Sequence, residues 1–411
     1  MSRLAVVTSH PIQYQAPWFR ALAQVVDLEV FFCHRQDAAG QAAAGFAQAF
    51  EWDVPLLDGY RYRWLHNVAP RPSVDRFSGC NTPEIADLLR DGGFDACVVS
   101  GWYLRSYVQA VRACWAIRLP VLMRGDSHLG TPRSGLKTAA KYLPYRWLLR
   151  HLDAHLYVGQ ANRTYLQHYG VPDERLFFAP HFVDNDRFAS DAERARANGS
   201  SAALRASIGA APDTPVFLFA GKLVPRKRAT DFIQAIAGLR ASGRVVQGLV
   251  VGSGPDEAAL RGLSATLGAP VHFAGFRNQS EMPACYAAAD CLVLPSVDET
   301  WGLVVNEAMA CGLPAIVSDA VGSAGDLIDP GETGFTFPAT NIPVLWERMG
   351  EAAARLRQDR MTFAAQVRRK IARYACDAAI VGTLQALDVV SRRIRPVAPE
   401  PAPVLSRGNR S

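Results

Sequence analysis

Cys291-Leu292-Val293-Leu294-Pro295-Ser296-Val297-Asp298-Glu299-Thr300-Trp301-Gly302-Leu303-Val304-Val305-Asn306-Glu307-Ala308-Met309-Ala310-Cys311-Gly312-Leu313-Pro314 is the stretch that decides how this chain reads. Its first four residues form a short apolar run suited to a buried parallel strand, and Pro295 to Asp298 break it. Thr300 can cap a helix over about residues 302–310, with Gly312 near its end and Pro314 beyond. Strand, loop and helix in that order aim the first backbone N–H groups of the helix at the mouth of a sheet. Unpaired donors and the helix dipole favour an anion such as a diphosphate there. Glu299 falls in the loop and Glu307 one to two turns into the helix, so the two carboxylates face different parts of one ligand. Taken alone, the pair has a plainer reading: Glu299 offsets the helix dipole and Glu307 is a solvated helix position.

The same alternation extends in both directions. Upstream in this half, strands are expected at 216–220, 248–251 and 271–274, with helices at 231–239 and 255–267 between them; 315–317 continues the sheet downstream. The N-terminal half repeats the pattern, with strands at 4–8, 28–33, 96–100, 121–123 and 155–158 and helices at 13–25, 83–90, 106–117 and 160–169. Such an order implies an α/β fold of two Rossmann-like, doubly wound parallel-sheet domains facing a cleft, with ligands at the carboxyl ends of the strands. The expected division is 1–188 as the N-terminal domain and 189–214, rich in Ala, Ser, Gly and Arg, as a linker. Residues 215–374 are expected to form the C-terminal domain, 375–395 a helix that can return to the N-terminal domain, and 396–411 a disordered Pro-rich, basic tail.

Composition narrows the class. A chain of 411 residues, 49% of them hydrophobic, is long enough for two cores. Its eight cysteines are scattered without C-x-x-C or zinc spacing, mostly in apolar runs, which reads as buried reduced thiols of a cytoplasmic protein. The start is too short for a signal-peptide core, and no apolar run reaches membrane-spanning length. The net charge of +6 is mild but uneven, since residues 127–152 contain no acidic residue. There Arg133, Lys137, Lys141, Arg146 and Arg150 recur among Tyr142, Tyr145 and Trp147. This stretch, 133–150, suits the anionic inner face of a membrane or an anionic lipid-linked acceptor, or else is a solvated helix face with snorkelling stems. Nucleic acid is not an expected partner, because no zinc finger, RNP-like word or long basic block accompanies the charge.

The spacing Glu299-x7-Glu307, set among these glycines and after this strand, resembles the E-x7-E signature of the large retaining glycosyltransferase family 4, whose fold is GT-B. Further words agree in order. Gly221-Lys222-Leu223-Val224-Pro225-Arg226-Lys227 resembles the family word in which two cations clamp the donor diphosphate. Lys222 stands where arginine is usual and acts as a point charge rather than a bidentate fork. Gly252, in Val251-Gly252-Ser253-Gly254, lets backbone approach a phosphate or sugar, or else makes a tight structural turn. Gly275-Phe276-Arg277 resembles the segment that holds the nucleobase.

The resemblance implies roles. Lys222 and Lys227 neutralise the leaving diphosphate, Glu299 holds hydroxyls of the transferred sugar, Glu307 accepts from the ribose, and the amides of Leu303 and Val304 meet phosphate or sugar. It also implies retention of configuration, no metal and no cofactor, with a nucleotide-sugar donor and a glycan, lipid-linked or small-molecule acceptor. Asp184-Asn185-Asp186 has D-x-D spacing but follows the structural word Pro180-His181-Phe182-Val183, and is discounted as a metal pair. His10 and Gln13, after the first strand, and Asp126 and His128, after the strand at 121–123, are expected on the acceptor or sugar side. His10 as a helix-capping residue is the competing reading. Two rival functions remain at this point: a GT-B UDP-N-acetylglucosamine epimerase, and a non-catalytic nucleotide-sugar-binding partner subunit.

Overall fold

The computed structural model describes residues 1–42, 45, 47–130 and 135–394. Two parallel sheets organise it. The N-terminal sheet contains β1 (Arg3–Thr8), β2 (Asp27–Phe32), β3 (Arg61–Trp64), β4 (Ala96–Val99), β5 (Val121–Gly125), β6 (Ala154–Tyr157) and β7 (Leu176–Phe178), in the order β3-β2-β1-β4-β5-β6-β7. The C-terminal sheet contains β8 (Val216–Ala220), β9 (Gln247–Val251), β10 (Val271–Gly275), β11 (Cys291–Leu294), β12 (Ala315–Ser318) and β13 (Gly334–Phe337), in the order β10-β9-β8-β11-β12-β13.

Side chains alternate across a strand, and here both faces are covered. Ala5, Val7, Cys97, Val99, Val121 and Met123 enter one core, while Leu4, Val6, Ala96, Val98 and Leu122 enter the core on the opposite face. That two-sided burial explains why these strands read as continuous apolar runs. In each sheet the strand order reverses beside the first strand, between β1 and β4 and between β8 and β11. The loops after β1 and β8 therefore open at the switch points, where a doubly wound sheet leaves room for a ligand.

The expected linker is corrected. Residues 189–214 hold most of one helix, Asn185–Ala197, and all of another, Ser200–Ser207, and Phe188 and Ala192 are buried in the C-terminal core. The Ala- and Arg-rich composition read as a linker is that of good helix formers, and Phe188, Ala192 and Ala195 recur on one helical face. The helix Cys376–Ile394 returns to the N-terminal domain, with Ala379, Ala386, Leu387 and Val390 buried there. The chain thus crosses between domains twice. The tail at 396–411 lies outside the described residues.

Candidate active site

Between the sheets' carboxyl ends lies a cleft of about 600 Å³. Its C-terminal wall begins where β8 ends. Gly221 and Gly252 carry φ of 151° and 135°, and a Cβ on Gly252 would stand 1.9 Å from the Gly221 carbonyl oxygen. Gly252 is thus fixed by the packing of two turns against each other, and both turns line the cleft. Lys222, Arg226 and Lys227 follow on the same wall. Burial, and then repulsion from Arg226 and Lys227, lowers the pKa of Lys222. Three cations crowded at one strand end favour an incoming polyanion.

From the neighbouring strand β11, a loop leads to the helix Leu303–Ala310, which starts at Gly302, whose φ of 92° suits glycine. Thr300 is not its cap, as the sequence had suggested; no side chain caps this helix, and Thr300 instead lies near Asp126 of the other domain. Leu303 and Val304, in the first turn, line the cleft. Glu299 pairs with Lys227, and both side chains are largely buried, 14% and 12% exposed. Its carbonyl accepts from Gly322 N at 2.9 Å, which pins the loop.

Glu307 is only 3% exposed and is not the solvated helix residue of the plainer reading. Oε1 accepts from Tyr14 Oη at 2.9 Å and from Gln279 Nε2 at 3.0 Å, and Oε2 accepts from Tyr286 Oη. Burial raises its pKa, against the pull of these three donors and of Arg187. Arg187 also donates to Gln279, to its carbonyl at 3.2 Å and to Oε1 at 3.1 Å, which fixes the amide. Tyr14 comes from the loop after β1, so one of these hydrogen bonds spans the two domains.

The N-terminal wall carries His10, Gln13 and Asp126. Burial, with the nearby His34, lowers the His10 pKa to about 4, so the ring is neutral at pH 7; Nδ1 lies 3.0 Å from Ser9 Oγ. Asp126 lies 3.8 Å from His181 Nε2 in the cleft wall. Burial pushes its pKa up, but His181 and the Thr300 hydroxyl outweigh that and bring it to about 2. Arg124 sits behind it, 4.8 Å from the Trp18 ring centroid and donating to Pro180 O at 3.1 Å.

Glu299, Lys222, Lys227, Gly221, Gly252, Phe276, Arg277, Leu303, Val304, Glu307, His10, Gln13 and Asp126 thus meet in one cleft. His128 does not. It is buried outside the cleft lining, and its Nδ1 accepts from Gly130 N at 3.2 Å, a local turn contact that turns it from the ligand side. Arg277 reaches the cleft while paired with Glu281 at 2.9 Å. Asp184 of the D-x-D triplet accepts from Arg187 N at 3.1 Å as the N-cap of its helix. Sequence reasoning missed Arg226, Tyr14, Gln279, His181 and Trp52 as cleft residues. Arg226 and His181 stood inside quoted words, and Tyr14 directly follows Gln13; Trp52 had no local signal.

The helix Gly135–Arg150 forms at the basic stretch. Leu143 and Trp147 are 72% and 55% exposed, and Lys141 and Arg150 are exposed beside them, while Tyr142 and Tyr145 pack inward. Arg133 lies outside the described residues. Among the described residues no helix is long and apolar enough to cross a membrane.

Residues 200–374 match the family model described as glycosyl transferases group 1. A GDP-mannose-dependent alpha-mannosyltransferase of Mycobacterium tuberculosis is 33% identical over 228 residues, 55% of this chain and 54% of that one. A D-inositol 3-phosphate glycosyltransferase of Streptomyces bingchenggensis is 32% identical over 213 residues, 46% and 45% of the two chains. These matches span about half the length of the curated relatives. Among solved structures, a glycosyltransferase from Rickettsia africae superposes with a TM-score of 0.70 at 12% identity, over 95% of this chain and 98% of that one, which shows the GT-B fold.

Proposed function

From a C-terminal domain, residues 200–374, that belongs to the glycosyl transferases group 1, we propose that this chain is a retaining glycosyltransferase. It moves a hexose-type sugar from a UDP- or GDP-linked donor to a hydroxyl of a glycan, lipid-linked or small-molecule acceptor. One observation carries the reading: Lys222, Arg226 and Lys227 line a single cleft together with Leu303 and Val304 of the first turn of the helix Leu303–Ala310, with Glu299 before that turn and Glu307 after it. This set suits a nucleotide diphosphate in length and in charge.

The donor diphosphate lies among the three cations and the first-turn residues Leu303 and Val304. Drawn to the phosphate, Lys227 releases Glu299, whose carboxylate then accepts from hydroxyls of the transferred sugar. Glu307 accepts from the ribose, and Phe276 and Arg277 border the base. In the chemical step the bond from the anomeric carbon to the diphosphate oxygen breaks and a bond to the acceptor oxygen forms on the same face. The acceptor proton passes to the departing phosphate oxygen. The negative charge growing on that diphosphate meets these cations, an electrostatic stabilisation that we assign to the side chains rather than to a metal. The acceptor enters along His10, Gln13 and Asp126.

Exposed Leu143 and Trp147 beside Lys141 and Arg150 support a resting place on an anionic membrane surface, and the buried free thiols support a cytoplasmic setting. The test is a panel of nucleotide sugars and diphosphates scored by thermal shift. GDP-mannose heads the panel because one relative is described as dependent on it. Stabilisation by a nucleotide sugar and its diphosphate is expected; a blank panel overturns the reading.

A further inference from the structure

Residues 50–53, in the connection from β2 to β3, reach the loop that follows β10. Asn278 Nδ2 donates to the Glu51 carbonyl at 2.7 Å, Ser280 N to Asp53 Oδ1 at 3.2 Å, and Ser280 Oγ to Asp53 Oδ2. Between these polar pins lies an aromatic cluster from both domains. The Phe50 ring is 4.4 Å from the Phe276 ring, tilted by 41°, and 4.9 Å from the Trp52 ring, at 89° to it. Phe50 is buried, 9% exposed, and Trp52 and Phe276 both line the cleft that holds Glu307 and Gln279.

We propose that Trp52 contacts the nucleobase of the donor, so that the base is held between the domains, against Phe276 of one and Trp52 of the other. This inference rests on the donor-binding reading and deepens it. Phe276 follows the end of a sheet strand on the ribose side of the diphosphate cations, where a base attached to that ribose must fall. Phe50 backs both rings, which stiffens the wall. A purine or pyrimidine is flat and polarisable, and aromatic side chains bind such faces with little dependence on base identity. Asp53 and Glu51 orient Trp52 through exposed hydrogen bonds, which are readily broken and remade.

The experiment compares wild type with Trp52→Ala and Trp52→Phe by calorimetric titration with UDP, GDP and inorganic pyrophosphate, with melting temperature as the control for folding. Trp52→Ala is expected to weaken whichever nucleotide the wild type binds by roughly 5- to 100-fold, the span of one base–aromatic stack. Trp52→Ala still melts cooperatively, pyrophosphate affinity stays at the wild-type value, and Trp52→Phe recovers most of the loss. Wild-type nucleotide affinity in Trp52→Ala overturns the inference alone. So does an equal loss for pyrophosphate, or an equal loss in Trp52→Phe. If the wild type binds neither UDP nor GDP, the donor reading falls and this inference with it.

Discussion

Replacing Glu307 with alanine tests the most buried charge in the cleft. Its carboxylate receives three donors, and the consequences differ by donor. Tyr286 is fully buried, so it finds no water once the carboxylate is gone. Tyr14 and Gln279 line the cleft and can be rehydrated there. A buried donor left without a partner costs about 1–3 kcal/mol, so stranding Tyr286 destabilises Glu307→Ala by roughly that amount, a sizeable share of the ~5–15 kcal/mol that holds a domain together. Glu307→Gln retains an acceptor oxygen for Gln279 and a polar group beside Tyr286, and is expected to lose only about 1 kcal/mol. Its loss of charge weakens the hydrogen bonds assigned to the ribose, so donor affinity falls by roughly 10-fold in a folded protein. Urea unfolding of wild type and both variants, followed by donor titration of Glu307→Gln, reads the two effects separately. An alanine variant that unfolds at the wild-type midpoint refutes the network. Unchanged donor affinity in the glutamine variant refutes the ribose role.

Lys227→Ala should lower turnover by roughly 10²- to 10³-fold, as loss of a preorganised charge contact does, while the protein stays folded by circular dichroism; full turnover rejects the clamp. Lys222 gives a pH signature. Its lowered pKa means that its charge is present at neutral pH and is lost as pH rises through a value below the usual 10.5, so diphosphate affinity should fall along that limb. Lys222→Arg keeps its charge and moves the fall to higher pH; superimposable curves contradict the assignment. Vesicle binding should require anionic lipid, fade as salt rises, and weaken in Trp147→Asp; equal binding to neutral vesicles counts against the membrane face.

Much of the fold was legible because buried parallel strands announce themselves. β8 and β11 lie at the expected residues, and the helix starting at Leu303 begins within a residue of its expected position. β3, Arg61–Trp64, was not foreseen because it is an exposed edge with charged side chains and no apolar run. The helices at Asn185–Ala197 and Ser200–Ser207 were hidden by composition, since alanine, serine and arginine serve loops and helices alike. In the site, residues fixed by local backbone geometry were readable: Gly221, Lys222, Lys227, Glu299 and Glu307 each stand at a fixed offset from a strand end or helix start. Partners brought together by tertiary contact were not. Tyr14 meets Glu307 and Glu51 meets Asn278 across hundreds of residues, and only the closing of two domains joins them. His128 failed for a related reason: its place two residues past Asp126 said nothing about the turn that faces it toward Gly130.

Retention of configuration is the central claim, and the anomeric form of the transferred sugar tests it most directly. With the donor identified by the panel, NMR of the product formed without added divalent metal is expected to show an α-linkage from an α-linked nucleotide sugar. A β-linked product, or transfer that appears only when a divalent metal is supplied, contradicts the account.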